Sequence, residues 1–170
     1  MRKVIFCGTN SLDNSFARKD GAVDWLMWSK EAAEIMKEIW PRFDVMLMGR
    51  KTWETSIKNF SEEELEKARK MHAGMHTYVF SRTRPPGPIV EGIEMVNTDV
   101  AECVRALKKQ AGKDILLMGG GDLAKSLFEA GLIDEIGFNI HPVLLGSGIP
   151  LFHEMSRQID LELLETRPFE

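Results

Sequence analysis

A series of short apolar runs set between helical patterns constrains the fold of this chain more than any other feature. Val4 to Cys7, Val45 to Met48, Thr77 to Phe80, Ile93 to Val96, Ile115 to Met118, Ile136 to Ile140 and Val143 to Leu145 each read as a strand. Several carry no polar alternation, the mark of strands covered on both faces. Helices fall between them. Ala32, Ile35, Met36 and Ile39 repeat at helical spacing, and Pro41 ends that helix. Ser61 with Glu64 forms a capping box, and Asp99 with Glu102 starts another helix with Val104 and Leu107 on one face. Asp122 to Leu132 carries Leu123, Leu127 and Phe128 on one side. Strands alternating with helices pair in parallel through crossovers. The last third changes character. Two strands meet near His141-Pro142, and Leu161 to Leu164 reads as a further one, with no long helix between. The expected fold is therefore α/β: a three-layer αβα arrangement with a mostly parallel central sheet and antiparallel strands at the C-terminal edge.

At 170 residues the chain has the length of one ordinary domain, so 1–170 is expected to share a single core. The loop Arg82 to Pro88, with three prolines and a glycine, is too short for a domain linker. A net charge of −4 argues against nucleic acid or an anionic membrane surface as partner. Two cysteines make no disulfide framework and fit a reducing, cytoplasmic setting. The N-terminal apolar run is too short for a signal peptide, and no run reaches the length of a membrane span.

Ligands of such sheets bind beyond the C-terminal ends of the strands, so chemistry is expected just after each run. Val45 to Met48 is followed by Gly49-Arg50-Lys51-Thr52. The glycine lets backbone approach a ligand, and the residues after it open a helix whose free N–H groups suit a phosphate. Thr77 to Phe80 is followed by Ser81-Arg82-Thr83-Arg84. Two hydroxyls interleaved with two guanidiniums suit a phosphate monoester, such as the 2′-phosphate that separates NADP from NAD. Ile115 to Met118 is followed by Gly119-Gly120-Gly121-Asp122-Leu123, where backbone can lie against a pyrophosphate. Each turn alone has a plain structural reading. Together, three phosphate-friendly turns after buried strands can face one extended dinucleotide.

The stretch Met48-Gly49-Arg50-Lys51-Thr52-Trp53-Glu54 closely resembles the cofactor turn of dihydrofolate reductase. Leu117 to Ala124, Gly131-Leu132-Ile133-Asp134-Glu135 and Pro142 to Phe152 resemble the reductase domain of the bacterial riboflavin-biosynthesis deaminase-reductase and its stand-alone homologues. Ser11-Leu12-Asp13, with Ala17 and Asp24-Trp25, resembles that group's substrate loop. The resemblance covers nearly the whole chain. It implies a dihydrofolate-reductase-like fold, a homodimer, and NADPH as cofactor. In it Gly49, Arg50 and Thr52 hold phosphates, Ser81 and Arg82 lie by the 2′-phosphate, and Gly119 to Leu123 line the pyrophosphate and nicotinamide. Lys51 and Thr83 complete the cofactor set read from the turns. Met118 stands where those reductases usually carry an acid, and Asn14 where they carry glycine, which leaves the substrate open between an aminouracil and a pteridine.

The expected reaction is hydride transfer from NADPH to a C=N or C=O carbon of a small heterocyclic or sugar-derived substrate, pteridine or 5-amino-6-ribosylaminouracil-like. The proton donor is water or an acid, Asp24 before Asp13, and Trp25 or Trp28 is placed to stack on a flat ring. Two alternatives stand beside it: a non-catalytic nucleotide-binding protein, and a Rossmann-type NAD dehydrogenase reading Gly119, Gly121 and Ala124 as its fingerprint. No metal is expected, because His72 and His76 lack a third ligand at convincing spacing. His141 and His153 read as loop or core histidines. Phe138, Ile140, Val143, Leu144, Leu145 and Leu151 predict a dimer seam within Ile136 to Phe152, unless they fill the protein's own core.

Overall fold

The computed structural model describes Met1 to Pro168 apart from Trp28, Phe60 and His72. Seven strands form one sheet: β1 (Val4–Ser11), β3 (Phe43–Gly49), β4 (His76–Phe80), β5 (Gly87–Val90), β6 (Ile93–Val96), β7 (Asp114–Gly119) and β8 (Glu135–His141). Their order is β5-β6-β4-β3-β7-β1-β8. Two short strands, β2 (Ser15–Ala17) and β9 (Ile149–Pro150), make a separate antiparallel ribbon. The helices are α1 (Lys30–Ile39), α2 (Arg50–Asn59), α3 (Glu62–Met71), α4 (Val100–Lys109) and α5 (Gly121–Glu129), with a 3₁₀ turn at Trp40–Arg42.

Strand pleating sends successive side chains to opposite faces, and the apolar runs fill both. On one face Val4, Phe6, Val45, Leu47, Ile115 and Leu117 meet Val104 and Leu107 of α4 and Leu123, Leu127 and Phe128 of α5. On the other, Ile5, Met46, Met48 and Leu116 meet Ile39, Trp40 and Trp53. Burying each such side chain contributes about 1.5–3 kcal/mol. This double burial is why the central runs lack alternation. Caps fall where the residue types place them: the Ser29 hydroxyl accepts from Ala32 N–H at 3.1 Å, and the Asp99 carboxylate from Glu102 N–H at 2.9 Å. The Ser61 carbonyl accepts from Leu65 N–H as α3 begins.

The three-layer, mostly parallel architecture stands as expected, with antiparallel pairing confined to edges. The antiparallel strand of the main sheet is β5, from mid-chain, lying against β6. Pro88 sits in it because an edge strand has one side that needs no N–H donor. The last third behaves differently from its reading. β8 pairs parallel to β1. Val143–Leu145 is a turn, not a strand: Pro142 offers no ladder donor, and Val143 N–H folds back to the His141 carbonyl at 2.8 Å. Leu161, Leu163 and Leu164 are exposed and in no strand. At the opposite end of the sheet the buried Arg2 pairs with Asp44 and donates to the Lys113 carbonyl, tying together the starts of β1, β3 and β7.

Candidate functional site

The strand order brings the three turns together. β4, β3 and β7 are neighbours, so residues 81–84, 49–52 and 119–121 leave the sheet side by side at its C-terminal edge. The turns after β3 and β7 touch. A Cβ built on Gly49 would lie 3.4 Å from Gly120 N, and one on Gly120 would lie 2.9 Å from Thr52 Oγ1. Larger residues would fill this cradle. The Gly119–Gly120 peptide is cis, and Gly119 has φ +120°, a region glycine adopts freely. Helices start from both turns. The first turn of α2 holds no acid. The cap of α5, Gly120, supplies no side-chain hydrogen bond, so the amide donors there stay open to a ligand.

Cations surround the cradle. Arg50 and Lys51 of α2, Arg82 beyond β4 and Lys125 of α5 all line the cleft. Glu54 braces two arginines: its carboxylate is 2.6 Å from Arg50 Nη1 and 3.9 Å from Arg84 Nη2. The Ser81 hydroxyl accepts from Thr83 and Arg84 N–H at 3.2 and 3.0 Å, which shapes the loop and leaves its own proton free to donate. Arg82 and Thr83 are exposed at the rim. Leu123 is buried in the core beneath the glycine turn. This donor set, with its glycine cradle, fits the phosphates of a dinucleotide.

The residues expected to handle the proton are placed otherwise. Asp24 is exposed and pairs with Arg18 at 2.6 Å. That hydrogen bond holds its carboxyl below the usual range, the opposite of what a general acid near neutral pH needs. Asp13 accepts from Ser11 Oγ at 2.5 Å, Gly146 N–H at 2.8 Å and Leu145 N–H at 3.2 Å, and these bonds likewise lower its pKa. It is the anchor of the turn after Pro142. Trp25 is buried, its ring perpendicular to that of His141 with centroids 5.5 Å apart. Trp28 lies outside the described residues, as does His72. Asn14, where a glycine was the pattern, has φ +59°, a region asparagine tolerates next best.

Helix α1 turns Ala32, Ile35, Met36 and Ile39 toward the cleft, while Glu31 and Glu34 are exposed and Glu38 pairs with Arg167. Thr9, Asn139 and His141 line the same end. His141 Nε2 is 3.1 Å from the Met27 carbonyl, and its Nδ1 and Asn139 Oδ1 are buried without a partner. Cys7, midway along β1 opposite Gly137, has its thiol pushed up to about 11 by burial. Among the described residues no group of three or more His, Cys, Asp or Glu is arranged to hold a metal. The residue the sequence did not single out is His153. It reaches the first turn of α5 from beyond β9, and no spacing signal in the chain connects the two segments.

No helix among the described residues is long and apolar enough to cross a membrane. Two uncharacterised proteins of Bacillus subtilis strain 168 resemble the chain along its length. YyaP is 34% identical over 172 residues, covering 99% of this chain and 89% of the relative. YwjB is 29% identical over 174 residues, covering 99% and 92%. Among solved structures, a Shewanella sp. PV-4 protein ascribed to riboflavin biosynthesis shares the fold with a TM-score of 0.74 at 24% identity, over 97% of this chain and 90% of that one. The Thermotoga maritima diaminohydroxyphosphoribosylaminopyrimidine deaminase/5-amino-6-(5-phosphoribosylamino)uracil reductase gives 0.63 at 14% identity, over 95% of this chain and 51% of its own. Enterococcus faecalis dihydrofolate reductase, complexed with NADP(H), gives 0.61 at 15% identity, over 91% and 79%. The model of the RibD C-terminal domain matches residues 2–170, and the chain belongs to that reductase-like family.

Proposed function

We propose that the protein is an NADPH-dependent reductase acting on a small heterocyclic or sugar-derived substrate of the aminouracil or pteridine kind. The observation that carries this reading is the contact between the turns after β3 and β7, glycine against threonine, with Arg50, Ser81 and Arg82 in line beside it. NADPH, when bound, supplies the hydride. The chain's residues do the rest. Gly49, Thr52, Gly120 and Gly121 offer close backbone and hydroxyl donors to the diphosphate. Lys51 adds charge at the α2 start. Ser81, Arg82 and Thr83 take the 2′-phosphate. Met118 and the apolar side of α1 exclude water from the reacting end. The proton comes from water, since neither Asp24 nor Asp13 is buried. The test is loss of reduced-nicotinamide absorbance when the protein and NADPH meet a panel of aminouracils, pterins and simple carbonyls. Oxidation with at least one member supports the reading. NADPH binding without turnover on any favours a purely nucleotide-binding protein.

The same reading includes a homodimer. Ile140 and Leu144 are 59% and 69% exposed beside the exposed Leu12 and Met27, an apolar patch at the end of edge strand β8. A second copy covers such a patch most simply. Leu151 is not part of this surface: it is 1% exposed, in the protein's own core.

A further inference from the structure

We infer that Asn139 and His141 form a pair of hydrogen-bond acceptors for the heterocycle of the substrate, and that they select rings with a ring N–H beside an exocyclic N–H. The inference rests on the aminouracil-or-pteridine reading above and names the ring edge that such a site takes. It starts from two polar atoms that the fold buries and leaves unmatched, Asn139 Oδ1 and His141 Nδ1. Buried polar atoms are paired almost throughout native structures, so two orphans on one strand call for a partner from outside the chain. Both residues line the cleft.

Strand register sets them side by side. Asn139 lies opposite Thr9, and His141 opposite Ser11, in the parallel β1–β8 ladder. Side chains two residues apart leave the same face of a strand, about 6.6 Å from each other. Phe138 points the other way, into the core with Phe6, while Cys7, opposite Gly137 on the pair's own face, packs in the cluster of Ile39 and Trp40. On that side α1 contributes Ala32, Ile35 and Met36, an apolar wall of the same cleft. An apolar pocket with a few polar groups suits a small ring.

The hydrogen-bonding roles follow from the contacts. The Met27 carbonyl, 3.1 Å from His141 Nε2, can only accept, so Nε2 carries the proton and donates. In the neutral imidazole Nδ1 is then a lone pair that only accepts. The Met27 carbonyl and the perpendicular Trp25 ring hold this orientation. Asn139 Oδ1 accepts as well. Two acceptors disfavour an edge made of carbonyls and take one made of N–H donors, and a site built this way rejects analogues lacking the donors. Aminouracils offer a ring N–H next to the 6-amino group, and pterins a ring N–H next to the 2-amino group. Simple carbonyl compounds have no such edge.

The experiment titrates the protein, with NADP+ present and absent, with 6-aminouracil, with 6-amino-1-methyluracil, which lacks the ring donor, and with uracil, which lacks the exocyclic one. Affinity is read by NMR for wild type, Asn139→Leu and His141→Phe. Leucine keeps the size of Asn139 and loses the acceptor; phenylalanine keeps a ring against Trp25. Wild type is expected to bind 6-aminouracil about tenfold more tightly than either other probe, the size of one hydrogen bond. Each variant loses about tenfold for 6-aminouracil and little for the probe that already lacks the matching donor. The nitrogen-15 resonance of His141 Nδ1 gives a readout that needs no variant: it moves when 6-aminouracil takes up the lone pair. Equal wild-type affinity for all the probes overturns the proposal, as does no binding of 6-aminouracil, a pair of folded variants that match wild type, or a Nδ1 resonance that stays still while 6-aminouracil binds. If the protein oxidises NADPH with an aminouracil and the variants match wild type, this pair alone falls and the reductase reading stands. If 6-aminouracil binds through the pair and no cofactor binds, the pair stands and the cofactor reading falls.

Discussion

Valine at position 120 isolates the cradle from everything else the glycine turn does. Gly120 has φ −87° and ψ −173°, extended backbone that valine adopts readily, so the substitution acts through its volume. Its Cβ would stand 2.9 Å from Thr52 Oγ1, where ordinary contact begins near 3.4 Å. Thr52 cannot easily recede, because the next residue, Trp53, packs its helix onto the sheet. Two further methyls then occupy the gap between the turns. Overpacking of this kind costs about 1–3 kcal/mol, within the stability of an ordinary domain of roughly 5–15 kcal/mol. The protein should therefore stay folded while the diphosphate loses its seat. We expect NADPH affinity to fall at least a hundredfold, about 2.7 kcal/mol at 1.36 per tenfold, with Gly120→Ala intermediate. Fluorescence titration measures the affinity, and circular dichroism with a urea melt confirms the fold. A folded Gly120→Val protein that binds NADPH normally would show that the turn serves only chain reversal.

Other predictions follow from the same geometry. Asp44→Ala strands the buried Arg2 guanidinium and should cost about 3–5 kcal/mol by urea denaturation; a loss below 1 kcal/mol would show that Arg2 is solvated in the folded state. Burial raises the Cys7 thiol from its ordinary 9.0 to about 11, so its stabilising share is full below pH 9 and fades as pH rises through 11. Thiol reagents at pH 8 should modify it only after unfolding, and a fast-reacting Cys7 in folded protein would refute the placement. Ile140→Asp with Leu144→Asp should convert a dimer to a monomer by light scattering; a dimer of unchanged mass would place the seam elsewhere.

The sheet was legible where burial was complete. β3, β7 and the first half of β1 fall where apolar runs lie, because strands covered on both faces leave little room for polar residues; β4 and β6, which are less buried, fall on shorter runs that keep His76 and Glu94 half-exposed. The turns after β3, β4 and β7 were legible as loops that leave neighbouring strands at one edge of the sheet, which is where the strand order places them. Legibility failed where partners are distant or single. β8 has one neighbour, and nothing in Ile136 to Ile140 states whether that neighbour runs parallel. Leu161 to Leu164 has strand composition but no strand to pair with among the described residues. Asp24 and Asp13 were chosen from position in a loop, yet Arg18 and the backbone of Leu145 and Gly146 decide their state, and those contacts are tertiary. His153 carries no signal in the sequence because its partner Asp122 lies in a different element, reached only through the fold.

The most direct test of the central claim is the affinity of wild type and Arg82→Ala for NADPH and NADH. Wild type should prefer NADPH. Arg82→Ala should lose about tenfold or more for NADPH, the size of one charge-assisted bond at roughly 1.5–3 kcal/mol, and change little for NADH. Equal affinity of wild type for both cofactors, or equal losses for both in Arg82→Ala, would contradict the assignment of this cleft to NADPH.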